Sequence, residues 1–73
     1  MSNPNRYPVL LYWSEEDQAH LVEVPDLPGC VADGPTQTEA IANVRVVIQE
    51  WMDFAREVGR DIPAPSERLR LAA

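Results

Sequence analysis

The sequence predicts an α+β fold in which a three-stranded antiparallel meander precedes one long amphipathic helix, with a short fourth strand after it. Three observations lead to this prediction. Two short apolar runs flank a polar break, which indicates a β-hairpin. A segment rich in proline and glycine joins a short third run to a helix start signal. Apolar residues then recur at the 3.6-residue period of a helix over about 22 residues.

The first two strands are predicted over residues 7–13 and 19–24, joined by a hairpin loop at 14–18. Both alternating faces of the first strand are apolar, which is typical of a central strand with cover on each side. Pro8 lacks an amide N–H and is therefore expected at the start of its strand or at an unpaired position. Pro25 is predicted to end the second strand.

The segment after the second strand is predicted to turn and then to form a short third strand. Residues 26–29 form the turn, because Pro28 presets its own φ and Gly29 supplies the positive φ that other residues avoid. The third strand follows at residues 30–32. These backbone restrictions specify one local path from sheet to helix.

Thr36 is the predicted N-cap of the helix, and Glu39 completes a capping box three residues later. In such a box the threonine hydroxyl accepts the N3 amide, and the glutamate carboxylate accepts the amide of the cap residue. Gly59 is the predicted residue that ends the helix. The apolar stripe between them comprises residues 41, 44, 48, 51, 52, 55 and 58, with Val47 and Phe54 at its flanks.

After the helix, residues 61–65 are predicted to form a stiff extended connector and residues 66–71 the last strand. If that strand lies beside the first and parallel to it, the crossover is right-handed. The whole chain, 1–73, is predicted to be one small domain with frayed ends at residues 1–5 and 72–73. A domain of this length buries only about 60% of its unfolded surface, so oligomerisation or a bound partner is an expected supplement.

Charge and composition exclude several classes of function. The chain has 12 acidic residues against 6 basic ones, a formal net charge of −6. Because phosphate binding needs a cationic face, we do not expect this chain alone to bind nucleic acid; simple solubility and a basic partner both fit the charge. Cys30 is the only cysteine, which leaves no internal disulfide and favours the cytoplasm. No run resembles a signal peptide or a membrane span, so no membrane association is expected.

No set of side chains has the spacing of a catalytic or metal site, so neither enzymatic activity nor a cofactor is expected. His20 alternates with apolar residues and has no adjacent nucleophile, which favours a structural or surface role. Cys30 has only apolar or acidic neighbours along the sequence, which would not lower the pKa of its thiol, and a buried apolar role is favoured.

Two blocks in the middle of the chain form a recognisable signature: P-D-L-P-G-C at residues 25–30 and D-G-x-T-x-x-E-A at residues 33–40. In sequence and order they resemble the HicB antitoxin family. The resemblance extends to the long amphipathic helix and to Ile-Pro-Ala-Pro at residues 62–65, and so covers nearly the whole chain. The residues that carry the signature are Pro25, Pro28, Gly29, Cys30, Asp33, Gly34, Thr36 and Glu39.

The resemblance implies a truncated RNase H-like fold and a non-catalytic, protein-binding role. Members of the family bind a small basic ribonuclease toxin of the HicA type and mask its catalytic histidine, and they commonly form dimers or tetramers. Many carry a C-terminal DNA-binding domain that represses their own operon. Nothing after Leu71 could form such a module, so we expect an antitoxin-like domain, dimeric or tetrameric, that does not bind an operator by itself.

Residues that contact the partner are expected on the hairpin, the following turn and the edge of the helix. Acidic side chains there would steer a basic partner, and exposed aromatic side chains would anchor it. Ordinary core packing is the alternative for the aromatic residues, and a solvated turn is the alternative for the acidic ones. The predicted set is Trp13, Glu15, Glu16, Asp17, Asp26, Leu27 and Phe54.

Two further hypotheses remain open at this point. An orphan domain without a toxin would act through self-association, which an exposed edge strand favours. A metal-dependent nuclease would suit an RNase H-like fold, but it needs several carboxylates converging on metal ions, and the carboxylates of this chain lack a spacing that would collect them.

Overall fold

A computed structural model of the chain describes residues 6–66. Within this range three strands precede one helix: β1 (Leu10–Ser14), β2 (Ala19–Glu23), β3 (Val31–Gly34) and α1 (Gln37–Glu57). The strands form one antiparallel sheet in the order β1-β2-β3. Helix α1 packs on one face of this sheet, against β3 and β2.

The predicted α+β architecture is therefore confirmed for the meander and the helix. Nearly all of the predicted fourth strand, at residues 67–71, lies outside the described residues. The ends predicted to be frayed, residues 1–5 and 72–73, also lie outside them.

Strands β1 and β2 form the predicted hairpin through the loop 15–18. The Ser14 hydroxyl accepts the amide of Asp17 at 3.2 Å, and the Gln18 side-chain amide donates to the carbonyl of Glu15 at 2.7 Å. Gln18 has a φ of 52°, in the left-handed region, which lets the chain reverse within this loop. The loop is therefore held by its own polar side chains.

The first strand differs from its prediction in extent and position. It begins at Leu10 rather than at Tyr7, and Tyr7 is instead buried, with its hydroxyl donating to the carbonyl of Pro63. Within the sheet that the structure describes, β1 lies at an edge and not at the centre. Leu10 and Tyr12 share the face of β1 that points away from α1, and they are 49% and 39% exposed. The second face of β1 is thus only partly covered within residues 6–66, and the strand predicted beside β1 lies almost wholly outside the described residues.

Both ends of α1 are capped as the sequence indicates. Thr36 has an extended backbone (φ −129°, ψ 162°), and its hydroxyl accepts the amide of Glu39 at 3.1 Å. This is one half of the predicted capping box. At the other end Gly59 has a φ of 72° and donates to the carbonyl of Arg56, while Arg60 donates to that of Ala55 at 2.7 Å. These two bonds form a Schellman motif, which satisfies the last carbonyls of the helix.

The core lies between α1 and the face of the sheet that α1 covers. Val58 was predicted to belong to the apolar stripe but is 56% exposed, because it is the C-cap where the helix ends. At Gly34 an added Cβ would lie 2.6 Å from the amide nitrogen of Ala40, so the absence of a side chain allows the helix to start against β3. The buried apolar residues are Tyr7, Val22, Val24, Leu27, Cys30, Ala40, Val44, Ile48, Met52 and Ala55.

The segment after α1 is fixed by contacts with residues distant in the sequence. The guanidinium of Arg60 lies over the ring of Trp51, 5.3 Å from its centroid. Ile62 packs against the core. The carboxylate of Asp26 accepts both the amide and the hydroxyl of Ser66, each at 2.8 Å. This segment thus runs back towards the turn that follows β2.

Candidate protein-interaction site

The P-D-L-P-G-C block, residues 25–30, forms a compact turn that closes over the core. Val24 donates to the carbonyl of Cys30, Leu27 to that of Val24, and Cys30 to that of Leu27, each at 3.0 Å. Gly29 has a φ of 79°, as the turn prediction requires. The side chain of Leu27 is 0% exposed. It is therefore a core residue and not available to a partner on the surface of this chain.

Other signature residues also have contacts that build the fold. Cys30 is buried, and its burial raises the pKa of the thiol. The carbonyl of Asp33 accepts the side-chain amide of Asn43 at 2.8 Å, which ties β3 to α1. Asp26, predicted to face a partner, instead binds Ser66 through both carboxylate oxygens. These signature residues thus have contacts within the fold that stabilise it.

Four of the predicted partner-binding residues lie together at the hairpin end of the molecule. Trp13 is 46% exposed, and its indole N–H donates to the carboxylate of Glu15 at 2.6 Å. The ring of Trp13 meets His20 edge-on, with centroids 5.0 Å apart and an interplanar angle of 71°. Glu16 and Asp17 follow in the same exposed loop. We call Trp13, Glu15, Glu16 and Asp17 the acidic hairpin.

Phe54 is 58% exposed but does not belong to the acidic hairpin. Helix α1 starts next to Gly34, which pairs with His20, and His20 pairs with Trp13. The start of the helix therefore lies near the hairpin end. Phe54 lies about 25 Å further along the helix axis from Gln37, at a rise of 1.5 Å per residue. The predicted set thus divides into the acidic hairpin, the distant Phe54, the buried Leu27, and the half-buried Asp26 that binds Ser66.

A further surface, which the sequence reasoning missed, is the face of the sheet opposite α1. We call it the open sheet face; its residues are Leu10, Tyr12, Leu21, Glu23, Val31 and Asp33. Leu10, Tyr12 and Val31 are 49%, 39% and 55% exposed. A shallow depression of about 370 Å³ lies on this face, and Asp17 at the hairpin end also contributes to its wall. The signal for this surface was the second apolar face of the first strand.

The open sheet face is electrostatically negative around its apolar residues. The hydroxyl of Tyr12 donates to the carboxylate of Glu23. The pKa of Tyr12 is raised above its ordinary value, and this hydrogen bond is the largest cause. Slight burial and the negative charges of Glu23 and Asp17 raise it further. Among the described residues that line the depression there are three carboxylates, those of Asp17, Glu23 and Asp33, and no arginine.

A second depression, of about 380 Å³, lies between β1 and the first half of α1. Its lining includes Leu11 and Ile41, with Arg45 as the charged side chain. Within residues 6–66, no three His, Cys, Asp or Glu side chains come close enough together to hold a metal ion. No helix in that range is long and apolar enough to cross a membrane.

Comparison with known proteins agrees with the fold and the signature. A family described as the HicB_like antitoxin of bacterial toxin–antitoxin systems matches residues 7–72. The matched range includes the whole sheet, the helix and the P-D-L-P-G-C turn, and it defines an antitoxin-type domain. The chain belongs to this HicB-like antitoxin family, and the resemblance noted in the sequence is confirmed.

Individual relatives and one solved structure are similar over most of the chain. The UPF0150 protein Ta0767 of Thermoplasma acidophilum is 33% identical over 58 residues, which are 80% of this chain and 83% of that protein. Antitoxin HicB 2 of Photorhabdus laumondii is 37% identical over 68 residues, 93% of this chain but 48% of the relative, so this chain spans about half of its length. The crystal structure of TTHA0281 from Thermus thermophilus has a TM-score of 0.69 at 26% identity, and the match covers 96% of this chain and 85% of that one.

Proposed function

We propose that this chain acts in the cytoplasm as a non-catalytic antitoxin domain, which binds a small basic ribonuclease toxin of the HicA type and masks its active site. The observation that carries the proposal is the family match over residues 7–72. The resemblance of residues 25–40 to HicB antitoxins supplies the type of toxin.

The charge of the chain supports a basic partner. The formal net charge is −6, and Glu15, Glu16 and Asp17 are exposed together in one loop. A ribonuclease needs a cationic surface to hold RNA phosphates. Carboxylates presented by the antitoxin would attract that surface over a distance and occupy it in place of RNA.

Exposed aromatic side chains support a protein interface. Trp13 and Tyr12 are 46% and 39% exposed, at consecutive positions of β1 that face opposite sides of the sheet. Tryptophan and tyrosine are enriched among residues that carry binding energy. Both are held by hydrogen bonds to carboxylates, those of Glu15 and Glu23, so little side-chain freedom would be lost on binding.

Titration against a HicA-type toxin tests this function. The probe is a HicA-type toxin, which is inactivated at its catalytic histidine for calorimetry and used active for RNA cleavage. We expect a stoichiometric complex, inhibition of cleavage in the same ratio, and an association rate that falls as salt is raised. A second, unrelated ribonuclease assayed on the same RNA should stay active, which shows that the RNA itself is not sequestered. Absence of binding at micromolar concentration and low salt would contradict the proposal.

A homodimer or homotetramer is the second part of the proposal. Val46, Phe54 and Val58 are 58%, 58% and 56% exposed. Val46 and Phe54 lie within α1, and Val58 is the C-cap residue just after it. Exposed apolar side chains of this kind favour association of copies. Light scattering should give a mass above 8.2 kDa, and Phe54→Ser should lower it; a monomer at micromolar concentration would contradict this part.

A further inference from the structure

The open sheet face has an ordered arrangement of apolar and acidic side chains. The strand register places Leu10, Glu23 and Val31 side by side in one row across the sheet. The next row contains Tyr12, Leu21 and Asp33. Each row therefore combines two apolar or aromatic residues with one carboxylate. This pattern differs from the solvated face of an ordinary antiparallel sheet, which is polar.

The carboxylates of this face have no cationic partner among the described residues. No salt bridge within residues 6–66 involves Glu23, Asp33 or Asp17; the ion pair formed there joins Arg56 and Asp53 on α1. Glu23 is half-buried and accepts the Tyr12 hydroxyl, which fixes its position. The raised pKa of Tyr12 reports the same negative environment. A cation placed here would be attracted and would meet preorganised acceptors.

The same charges disfavour a second copy of this chain on this face. Two-fold packing of the open sheet face on itself would enclose Glu23 and Asp33 of both copies in one interface, and no salt bridge within residues 6–66 offsets their charge. Like charges opposed across an interface are destabilising. A partner with positive charge and apolar surroundings would instead satisfy the apolar and the acidic side chains together.

We propose that the open sheet face, and not the outer side of α1, is where the basic toxin docks, with an arginine or lysine of the toxin entering the depression between Tyr12, Glu23 and Asp33. This inference rests on the proposed function. An arginine there would pair its guanidinium with the Glu23 carboxylate and lie against the Tyr12 ring, a geometry that suits its planar fork. Leu10, Leu21 and Val31 would lose water contact around it.

Two sets of variants test the docking surface, with the histidine-inactivated HicA-type toxin as the probe. Glu23→Gln with Asp33→Asn removes both charges, keeps the shapes and leaves one acceptor oxygen on each side chain. The matched control, Glu50→Gln with Glu57→Gln, removes two exposed charges from α1. We expect the first pair to weaken binding by about tenfold or more and the control by less than about threefold, because charges inside an interface matter more than charges outside it. Val31→Arg, at a 55% exposed position, should abolish measurable binding, and circular dichroism should show each variant to be folded.

The outcomes separate this inference from the proposed function. If the unchanged chain does not bind the toxin, the proposed function and this inference are both contradicted. If the unchanged chain binds and the sheet-face variants bind equally well, the proposed function stands and this inference is overturned. Loss of affinity in the α1 control alone would place docking on the helix and also overturn it. Dissociation of a homodimer by Val31→Arg, with toxin affinity unchanged, would show that a second copy occupies the face, which again overturns the inference.

Discussion

The two faces of this small sheet are made by the same three strands and have opposite properties. On β2, Val22 points towards α1 and is 0% exposed, whereas its neighbours Leu21 and Glu23 contribute to the open sheet face. The covered face is closed by α1 around Val22 but leaves Trp13 46% exposed at the hairpin end, and the open face is apolar, acidic and accessible. Alternation along each strand thus separates the residues that stabilise the fold from residues that a partner can contact.

This separation has an energetic meaning. A fully buried Val or Ile contributes about 1.5–3 kcal/mol relative to an exposed one. Val22 and Ile48 are 0% and 1% exposed and make that contribution in the free chain. Leu10 and Val31 are 49% and 55% exposed, and they would contribute the remainder of this energy only if a partner covered them. Substitutions on the covered side should therefore change stability most, and those on the open side should change binding.

Ile48→Ala should destabilise the fold most, because it opens a cavity between α1 and the covered face. The expected loss is about 2–5 kcal/mol of unfolding free energy. Arg45→Ala is the control at an exposed position of the same helix and should change stability by less than about 0.5 kcal/mol. Urea denaturation followed by circular dichroism measures both. Equal losses would show that the outer side of α1 is also covered.

The two glycines of the strand-to-helix segment should differ in the cost of an added methyl group. At Gly34 the new Cβ would lie 2.6 Å from the backbone of Ala40, so Gly34→Ala should force α1 from the covered face and cost about 1–3 kcal/mol. At Gly29 there is open space but a φ of 79°, so Gly29→Ala should cost only about 1 kcal/mol of backbone strain. The denaturation midpoints of the two variants show which one loses more stability. A larger loss of stability in Gly29→Ala than in Gly34→Ala would contradict this prediction.

Thr36→Ala should remove the hydrogen bond that caps α1. The expected loss is about 1 kcal/mol. Thr38→Ala, two positions on and inside the helix, is the control and should be neutral or slightly stabilising, because alanine is the better helix former. Neither variant alters the open sheet face, so toxin affinity should stay unchanged in both. A loss of affinity in the folded Thr36→Ala protein would show that docking extends to the start of α1.

Tyr12 should titrate above its ordinary pKa of 10.0. Because its folded-state pKa is raised, the stabilisation from its hydrogen bond to Glu23 is present below pH 10 and is lost as the pH rises through the folded-state pKa. Glu23→Gln should move this pKa back towards 10.0, since the acceptor loses its charge. Tyrosinate absorbance measures the titration, and the difference from a Tyr12→Phe variant isolates Tyr12 from Tyr7. An unchanged curve in Glu23→Gln would contradict the Tyr12–Glu23 interaction.

Local signals were the part of the fold that sequence could predict. The Thr36 cap, the Gly59 end of α1 and the turn at Gly29 each depend on a few neighbouring residues, and all three are present. The positions of Tyr7 and Leu27 depend on contacts with distant parts of the chain. Tyr7 is buried outside the strand, where its hydroxyl reaches the carbonyl of Pro63, and Leu27 is buried in a turn that closes over the core. No local pattern encodes these contacts.

The candidate site was predictable to a similar extent. The acidic hairpin was visible because its residues are consecutive or nearly so. The open sheet face was not, since Tyr12 and Glu23 meet only through the β1–β2 register. Leu10 and Val31, on the two outer strands, flank Glu23 in the same way. A one-residue shift in register would exchange the two faces of a strand, so this surface requires the structure.

The contacts of the last described segment bear on the order of folding. Tyr7 and Pro63 are 56 positions apart, and Asp26 and Ser66 are 40 apart. Closing such long loops costs chain entropy that the β1–β2 hairpin and the turns of α1 do not incur. These contacts should therefore form after the rate-limiting step. Weakening them, for example by Asp26→Asn, is expected to shorten the lifetime of the native state while leaving the folding rate nearly unchanged.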